Sequence, residues 1–390
     1  MVDHSICKGL DLPLAGTPVQ EIEAAPLVEH VAIQGADYVG LKPRMLIAAG
    51  DSVMLGQPVI EDKAIPGVVI TSPAGGRITA INRGDKRAFQ SLVIEVDEAE
   101  GADRAQVAFE AYKNAKPEDL DAARVTALLV EAGLWSALRT RPFSRVPTPG
   151  TAPRAVFITA MDSRPHAPDV ETVIGDRMED FESGVTVLSK LTEGPTYVCT
   201  SPDSKLRVPD APQVERATFA GPHPAGIVGT HIHFLFPADL DRQVWHVGYQ
   251  DVVAIGHLFR TGALDVTRVV SIGGPGAVRP RLLRTRMGAA LDPLLAGELA
   301  DGRQRVISGS VLDGRTASGP VHGYLGRYAN QISVVPEAGE REMFGWIRPD
   351  GEKFSIWSVV AGAFRKGKSL KLSTTTNGGY RAMVPIGSFE

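Results

Sequence analysis

Cysteine is rare in this chain: its 390 residues include two, Cys7 and Cys199. An iron–sulfur cluster is usually held by four thiolates, so this chain cannot complete one alone. Two cysteines also cannot form the disulfide framework of a small secreted protein, which favours a reducing compartment. Long apolar runs are missing as well. The longest candidates, such as residues 155–161, have the length of a buried strand, whereas a membrane span needs roughly 18 residues.

An excess of charge of either sign is also missing. Lysine and arginine number 41 against 45 aspartate and glutamate, a formal net charge of −4, which leaves no electrostatic footprint for nucleic acid. The first residues do not follow the basic and then apolar pattern of a secretory signal. We therefore expect a soluble, cytoplasmic protein of two to four domains with no nucleic-acid partner.

Residues 1–100 are predicted to form a β domain. The Gly-Asp turn at 50–51 and the Ser-Pro-Ala-Gly-Gly turn at 72–76 resemble those of the biotinyl/lipoyl-carrier β-sandwiches. No carrier-type acceptor sequence surrounds Lys63, so we expect an unmodified lysine and a domain that acts as a scaffold. Short β-branched runs, each bounded by glycine, proline or aspartate, predict strands at 68–70, 78–81 and 92–96.

Residues 101–262 are predicted to form a Rossmann-like α/β domain. A charged, alanine-rich linker precedes a helix from about 117 to 133, and the buried strand at 155–161 follows. Between Val170 and Leu188, apolar residues fall at offsets 0, 3, 4, 8, 11, 15 and 18, which is one face of a single helix. The alternation of helices and strands favours an open α/β sheet.

A β-grasp domain of the SLBB type is predicted for residues 263–320, because strand, turn, strand, helix and strand follow one another closely. The glycine-rich segment 273–276 is predicted to be a tight turn. It is a poor phosphate loop because Pro275 has no amide hydrogen and no helix follows at once. Residues 321–390 are predicted to be a tail of short strands, with strands at 332–335 and 354–357.

Histidines are concentrated in one place, since His223, His231 and His233 lie within eleven residues. If this segment is extended, His231 and His233 share one face, and His223 could complete a three-ligand metal site. His246 and His257 are reserve ligands. Two other interpretations compete with the metal site. In the first, the histidines form hydrogen bonds to the backbone of a packed loop or contact a partner protein, and this is the interpretation that we favour. The other interpretation is a pocket for a redox ligand. A metal-dependent enzyme is therefore the alternative function.

A second polar cluster, Asp162, Ser163, Arg164 and His166, directly follows the predicted strand at 155–161. Ligands of open α/β sheets gather at the carboxyl ends of strands, so the position favours a functional or docking role. A hydrolytic triad is disfavoured, because sequence neighbours seldom point at one another and no Gly-x-Ser-x-Gly elbow occurs.

Four motifs in the chain resemble those of one bacterial family, the A subunits of the sodium-translocating NADH:quinone oxidoreductases. The resemblance covers essentially the whole chain. It implies an α+β multidomain fold, with a biotinyl/lipoyl-like β-sandwich, a degenerate Rossmann-like domain and the SLBB β-grasp domain. The motifs are Lys-Gly-Leu-Asp-Leu-Pro-Leu-Ala-Gly at 8–16, Gly-Pro-His-Pro-Ala-Gly at 221–226 with Gly-Thr-His-Ile-His at 229–233, Arg-Val-Ile-Ser-Gly-Ser at 305–310, and Ser-Thr-Thr-Thr-Asn-Gly at 373–378.

The family is similar to the C subunit of Rnf-type complexes and to the NADH-binding flavoprotein of respiratory complex I. Those relatives carry a glycine-rich flavin and NADH loop where this chain has residues 133–143. Here Trp135 and Leu138 put bulk where backbone amides should approach a pyrophosphate. The resemblance therefore implies a chain that binds no cofactor, with NADH, flavins and iron–sulfur centres on sister subunits and quinone as substrate of the complex.

The resemblance implies a peripheral protein on the cytoplasmic face of the bacterial inner membrane. We expect it to dock on the membrane-embedded B subunit of a six-subunit complex that couples quinone reduction to sodium export. We expect no catalytic residues of its own. The family chain continues past the motif at 384–389, so we also expect a truncated C-terminal helical segment. The candidate residues for the quinone region or interface are Asp162, Arg164, His166, His223, His231 and His233.

Overall fold

The computed structural model describes residues 2–97, 106–337 and 369–375. The α-helices of these residues are α1 (Ala122–Glu131), α2 (Val170–Ile174), α3 (Met178–Ser189), α4 (Val228–Leu235), α5 (Tyr249–Thr261), α6 (Leu291–Leu294) and α7 (Gly319–His322). Short 3-10 helices lie at Gly35–Asp37, Asp85–Arg87, Pro117–Asp119, Leu134–Ala137 and Gly175–Arg177.

The strands, numbered in chain order, are β1 (Val2–Ser5), β2 (Val19–Ala24), β3 (His30–Gln34), β4 (Pro43–Met45), β5 (Ser52–Val53), β6 (Pro58–Asp62), β7 (Val69–Thr71), β8 (Gly76–Arg83), β9 (Phe89–Val96), β10 (Arg139–Arg141), β11 (Val156–Thr159), β12 (Thr196–Thr200), β13 (Val214–Ala220), β14 (Val244–Gly248), β15 (Thr267–Gly273), β16 (Arg281–Arg286), β17 (Gln304–Ser308), β18 (Arg315–Thr316) and β19 (Gln331–Pro336).

Four sheets organise these strands. The N-terminal domain has two small sheets, β3-β9-β8-β5 and β4-β6-β7, whose strand pairs are antiparallel. The α/β sheet has the order β1-β13-β12-β11-β14-β10, and the β-grasp sheet has the order β18-β17-β19-β15-β16-β2. The predicted fold class, a β-sandwich followed by an α/β domain and an SLBB domain, is confirmed.

Three strands, β1, β2 and β19, join sheets that the sequence did not predict for them. Strand β1 pairs in parallel with β13 of the α/β sheet, and β2 pairs in parallel with β16 of the β-grasp sheet. Strand β19, at the predicted strand 332–335, lies between β17 and β15. The predicted strand at 354–357 lies outside the described residues.

The α/β sheet buries both of its faces, because successive side chains of a strand point to opposite sides. Ile158 packs with α3 and α5, while its neighbour Phe157 packs with α4. The two helices α3 and α5 touch backbone to backbone: a Cβ on Gly256 would lie 1.7 Å from the carbonyl oxygen of Asp180. Glycine is therefore required at this crossing.

The helix predicted from Val170 to Leu188 is wrong as one continuous element. It is divided into α2 and α3 at Gly175, which has φ of 47°. A residue in this left-handed region ends a helix, and glycine adopts it without steric cost. The apolar periodicity persists across the break, which is why the pattern did not reveal it.

The N-terminal domain and the β-grasp domain share one hydrophobic core. Val31, Ile60 and Leu92 of the first domain belong to the same buried cluster as Leu283 and Ile332 of the second. The two domains are therefore a packed unit, against which the α/β domain places the carboxyl edge of its sheet. None of the described helices combines the length and the apolar character that crossing a bilayer requires.

Candidate functional site

The order of the α/β sheet reverses between β11 and β14. From β11 the chain moves outward to β12 and then β13, and it returns to the other side of β11 as β14. In open α/β sheets such a reversal leaves a crevice at the carboxyl ends of the two strands, where ligands bind. Here the loop at 162–166 follows β11, and α5 follows β14.

The loop at 162–166 holds three parts of the molecule together. Arg164 forms ion pairs with Asp162 at 3.2 Å and with Asp313 beyond the β-grasp strand β17 at 2.8 Å. His166 Nε2 lies 3.0 Å from the carbonyl oxygen of Leu14. Burial raises the pKa of Asp162 against the opposing effect of Arg164, and burial lowers the pKa of His166. The predicted residues Asp162, Arg164 and His166 therefore form the joint between domains.

His223 joins the same loop through Ser163. Its Nδ1 lies 3.1 Å from Ser163 Oγ, and the hydroxyl also accepts a bond of 2.8 Å from the backbone N–H of Gly226. Asp11 accepts the His223 backbone N–H at 2.9 Å. Ser163 thus contacts His223 and not His166, so the sequence neighbours Asp162, Ser163 and His166 do not form a triad.

His231 and His233 lie apart from this joint, because their segment is the helix α4 and is not extended. His231 is fully buried, with Nε2 2.9 Å from the carbonyl oxygen of Ala225 and its ring 4.4 Å from that of Phe219. Burial lowers the pKa of His231 to about 4. His233 is exposed, and its ring stands at right angles to that of Phe234.

The metal hypothesis finds no support in this geometry. Across residues 2–97, 106–337 and 369–375, no three histidine, cysteine, aspartate or glutamate side chains are placed to hold one ion. The three histidines are instead placed in different surroundings: His231 is buried against Phe219, His223 contacts Ser163, and His233 is exposed. The reserve ligand His257 lies 3.4 Å from Asp180 on the α3 side of the sheet.

A polar crevice of about 100 Å³ occupies the reversal point between β11 and β14. It contains Asp162 and Arg164 together with residues that the sequence analysis did not select as candidates for this site. Asp251 accepts bonds from Arg268 at 2.5 Å and from Arg327 at 2.8 Å, and all three side chains are buried. The additional residues that matter for its chemistry are Arg139, Thr159, His246, Gly248, Asp251, Arg268, Arg327 and Tyr328.

Arg139 is the unusual cation of this crevice. Its guanidinium carbon lies 4.2 Å from the centroid of the Tyr328 ring, and no carboxylate within the described chain forms an ion pair with it. Burial lowers the pKa of Arg139. Its strand neighbour His246 is also buried, and burial, together with Arg139 and Arg141, lowers the pKa of that imidazole well below its ordinary value. The crevice therefore holds a neutral histidine beside uncompensated positive charge.

A wider outer cleft of about 280 Å³ adjoins the crevice and shares Arg139, Asp162, Arg164 and Tyr328 with it. Its far wall comes from the β-grasp domain, at Asp313 and neighbouring residues. The two cavities together follow the boundary between the α/β and β-grasp domains.

Residues 134–141 are packed into the domain and leave little room for a ligand at their first half. Trp135 and Leu138 are fully buried. The indole N–H of Trp135 donates to the carbonyl oxygen of Pro147 at 2.8 Å, and its ring meets that of Trp245 edge to face. The bulk that the sequence indicated at these positions is core packing.

A weak sequence signal existed for the missed half of the crevice. Residues 244–248 form a short apolar run ending in glycine, followed by the helix start at Tyr249. Recognition of this strand would have placed His246 and Asp251 at the same edge as Asp162. Arg268 and Arg327 carry no local signal, because they reach the crevice from the β-grasp domain.

Comparison with known proteins accounts for all three domains. Family profiles match residues 4–97 as the NqrA N-terminal barrel-sandwich hybrid domain, 120–264 as the NqrA second alpha/beta domain, and 269–319 as the NQRA C-terminal domain, which is of the SLBB type. A chain of an NAD+-reducing [NiFe]-hydrogenase in the air-oxidized state matches with a TM-score of 0.40 and 12% identity, over 60% of this chain and 49% of that one.

Relatives match at much higher identity. The A subunit of the Na(+)-translocating NADH-quinone reductase of Serratia proteamaculans (strain 568) is 52% identical over 386 residues, 99% of this chain and 85% of that protein. Its counterpart in Yersinia pestis bv. Antiqua (strain Angola) is 50% identical over 385 residues, with the same two shares covered. Together with the three domain matches, this identity shows that the chain belongs to the NqrA family, the A subunits of the Na+-translocating NADH-quinone reductases.

Proposed function

We propose that this chain is a peripheral component of a Na+-translocating NADH-quinone reductase, located on the cytoplasmic face of the bacterial inner membrane. It contributes to quinone reduction and sodium export as part of the complex and has no independent catalysis. The observation that carries the proposal is the 52% identity over 99% of the chain to a protein named as one of the subunits of that reductase.

The proposed contact with the membrane-embedded B subunit is the docking patch, which we define as His233, Phe234 and Leu240. These residues lie at the end of α4 and in the loop that follows it. Phe234 is 49% exposed and Leu240 is 79% exposed. We propose that these exposed apolar side chains belong to one surface that the B subunit covers, because contiguous exposed apolar patches mark interaction sites.

Cysteine crosslinking within the assembled complex tests the docking patch. In a Cys7→Ser background, which removes the exposed native thiol, Leu240→Cys should crosslink to the B subunit. Leu27→Cys is the matched control, because Leu27 is 72% exposed and lies in the N-terminal domain. Equal crosslinking from both positions, or crosslinking from Leu27→Cys alone, would reject the patch.

The proposed contribution to the quinone-reaction region comes from the loop at 162–166 and the outer cleft. The carbonyl oxygens of a quinone accept hydrogen bonds, and the Arg164 guanidinium lies at the rim with part of its surface exposed. His166 and His223 position this loop. Val228 lines the crevice at the first turn of α4. The docking patch begins five residues later at His233, about 7.5 Å further along the helix axis.

We place the quinone site between this rim and the B subunit, because an isoprenoid tail is more favourably kept in lipid than in a water-exposed domain. In the whole complex, Arg164→Gln should raise the KM for quinone and leave NADH oxidation by an artificial electron acceptor unchanged. Arg207→Gln is the control, since Arg207 is exposed and pairs with Glu182 away from the crevice. An unchanged KM in Arg164→Gln would remove the loop from the quinone region.

We also propose that NADH, flavins and iron–sulfur centres bind to sister subunits. Support comes from Trp135 and Leu138, whose buried side chains fill the stretch that a pyrophosphate would approach. Flavin analysis and NADH titration of the purified chain test this point. Stoichiometric flavin or micromolar NADH binding would require this chain to be a redox module itself.

A further inference from the structure

We propose that the crevice at the N-terminus of α5 binds a small oxyanion of the phosphate or carboxylate class. Arg139, Arg327 and the first-turn amides of α5 would hold it. This site is separate from the docking patch and lies at the inner end of the crevice, whose outer rim is formed by the loop at 162–166. The inference does not depend on the proposed role in the reductase complex.

The charges that line the crevice favour an anion. Four arginines, at 139, 164, 268 and 327, face two aspartates, at 162 and 251, which leaves an excess of two positive charges. Arg164 is neutralised by Asp162 and by Asp313 at the outer rim. The excess therefore lies at the inner end, where Arg268 and Arg327 share the single carboxylate of Asp251 and Arg139 has no ion-pair partner among the described residues. Buried charge without a partner is costly, so a bound anion would stabilise this end.

Buried polar atoms without hydrogen-bond partners in the described part of the chain also line the crevice. Among the buried side chains of the described residues, Arg327 Nη2 and His246 Nε2 have no hydrogen-bond partner, and both residues line the crevice. The Arg327 side chain is 4% exposed, and His246 is 3% exposed. Thr159 Oγ1, at the end of β11, is a third such atom. Buried polar groups are nearly always hydrogen-bonded, so these atoms indicate a polar occupant.

The helix itself adds a favourable field. Helix α5 has thirteen residues and begins at the crevice with Gly248 as its N-cap, which has no side chain to cap the first turn. First-turn N–H groups have no acceptor within a helix, and the helix dipole favours negative charge at this end. Asp251 lies in this turn, but its carboxylate bonds to Arg268 and Arg327.

The size of the crevice limits the class of ligand. Its volume of about 100 Å³ is below the roughly 300–1,000 Å³ of pockets that enclose drug-sized ligands. It holds a few waters or one oxyanion, since a water occupies about 30 Å³ in the liquid. A dinucleotide, a flavin or a whole quinone would extend beyond this volume.

Calorimetric titration of the full chain with inorganic phosphate, sulfate and succinate, at constant ionic strength set with chloride, tests the proposal. We expect saturable binding of at least one of the three anions. The anion that binds with the highest affinity shows whether the ligand belongs to the phosphate or the carboxylate class. Gly248→Val should weaken that binding by about tenfold or more. A Cβ at this position meets no atom within 4 Å and the backbone φ is −84°, so the larger side chain enters open space without strain.

Arg139→Gln should weaken the same binding, because it removes the charge that has no carboxylate partner. Arg124→Gln is the matched control, since Arg124 is exposed on α1 and its substitution should leave the affinity unchanged. The proposal is overturned if none of the three anions binds saturably, or if Gly248→Val binds them as tightly as the natural chain. If Arg139→Gln does not fold, the anion affinity of Gly248→Val decides the test by itself.

Discussion

The two halves of the α/β sheet place their polar side chains in different surroundings: one half packs them against aromatic rings, and the other lines a cavity with them. In the β13 half, His4 stacks on Phe219, which also contacts His231, and the buried imidazole of His231 bonds to backbone. In the β14 half, Arg139 and His246 line a crevice and keep hydrogen-bonding capacity that no described group uses.

This difference shows that density of polar residues in a sequence is a poor guide to a site. The three histidines that lie within eleven residues are divided between a packed core, a loop joint and the surface. The crevice instead draws its residues from β10, β11, α5 and the β-grasp domain. A site at a topological reversal is assembled from strand ends, which are far apart along the chain.

The largest expected effect comes from the crevice half. Asp251→Asn removes the carboxylate shared by Arg268 and Arg327 and leaves two buried guanidiniums without a counter-charge. Removal of one partner from a buried ion pair typically costs 3–5 kcal/mol, so we expect a loss of about 4 kcal/mol in the free energy of unfolding. Urea denaturation measures it.

The same substitution in an exposed pair provides the control. Asp121 caps α1 and faces Arg124 at 4.0 Å, with both side chains largely exposed. Because asparagine also caps helices well, Asp121→Asn should change the unfolding free energy by less than about 0.5 kcal/mol. Similar losses in the two variants would show that the buried triad has no special importance.

The fold was largely predictable from sequence, and the candidate site was half predictable. Strand runs in the first domain and the buried strand before Asp162 gave the correct elements, because apolar residues bounded by turn residues have few alternatives. Asp162 and Arg164 were found from their position after that strand. The break at Gly175 was missed, since a helix that bends while keeping one buried face retains its periodicity.

The other half of the crevice depends on contacts that no local pattern encodes. Arg268 and Arg327 are separated by 59 positions and converge on Asp251 through the pairing of β15 with β19 and the packing of domains. Likewise, tertiary pairing determines which sheet the short strands β1 and β2 join, because it outweighs the β-propensity of a few residues.

A second expected effect concerns the packed half and appears as pH dependence. The pKa of His231 is lowered to about 4 by burial, against about 6.5 for an unfolded histidine. Between these values the unfolded chain binds a proton that the folded chain does not, so stability falls as pH decreases from 6.5 to 4. The loss amounts to about 3 kcal/mol over this window.

His231→Gln should flatten this part of the stability profile, because glutamine keeps a donor for the Ala225 carbonyl and does not titrate. Urea denaturation at a series of pH values between 4 and 7 compares the two chains. Parallel profiles for the natural chain and the variant would mean that His231 gains its proton as easily as an exposed histidine, and the packed description of this half would be wrong.

The smallest expected effect separates His233 from His231, two positions earlier on the same helix. His233 is exposed and contacts Phe234 by its ring edge, so His233→Ala should change the unfolding free energy by less than about 0.5 kcal/mol.

The position of His233 in the docking patch predicts that the same variant co-purifies less B subunit from detergent-solubilised membranes. His322→Ala, an exposed histidine on α7, should change neither quantity. A stability loss as large as that of the His231 variants would place His233 in the core. Full recovery of the B subunit would remove His233 from the patch, because an exposed side chain with neither packing nor partner has no energetic role at this surface.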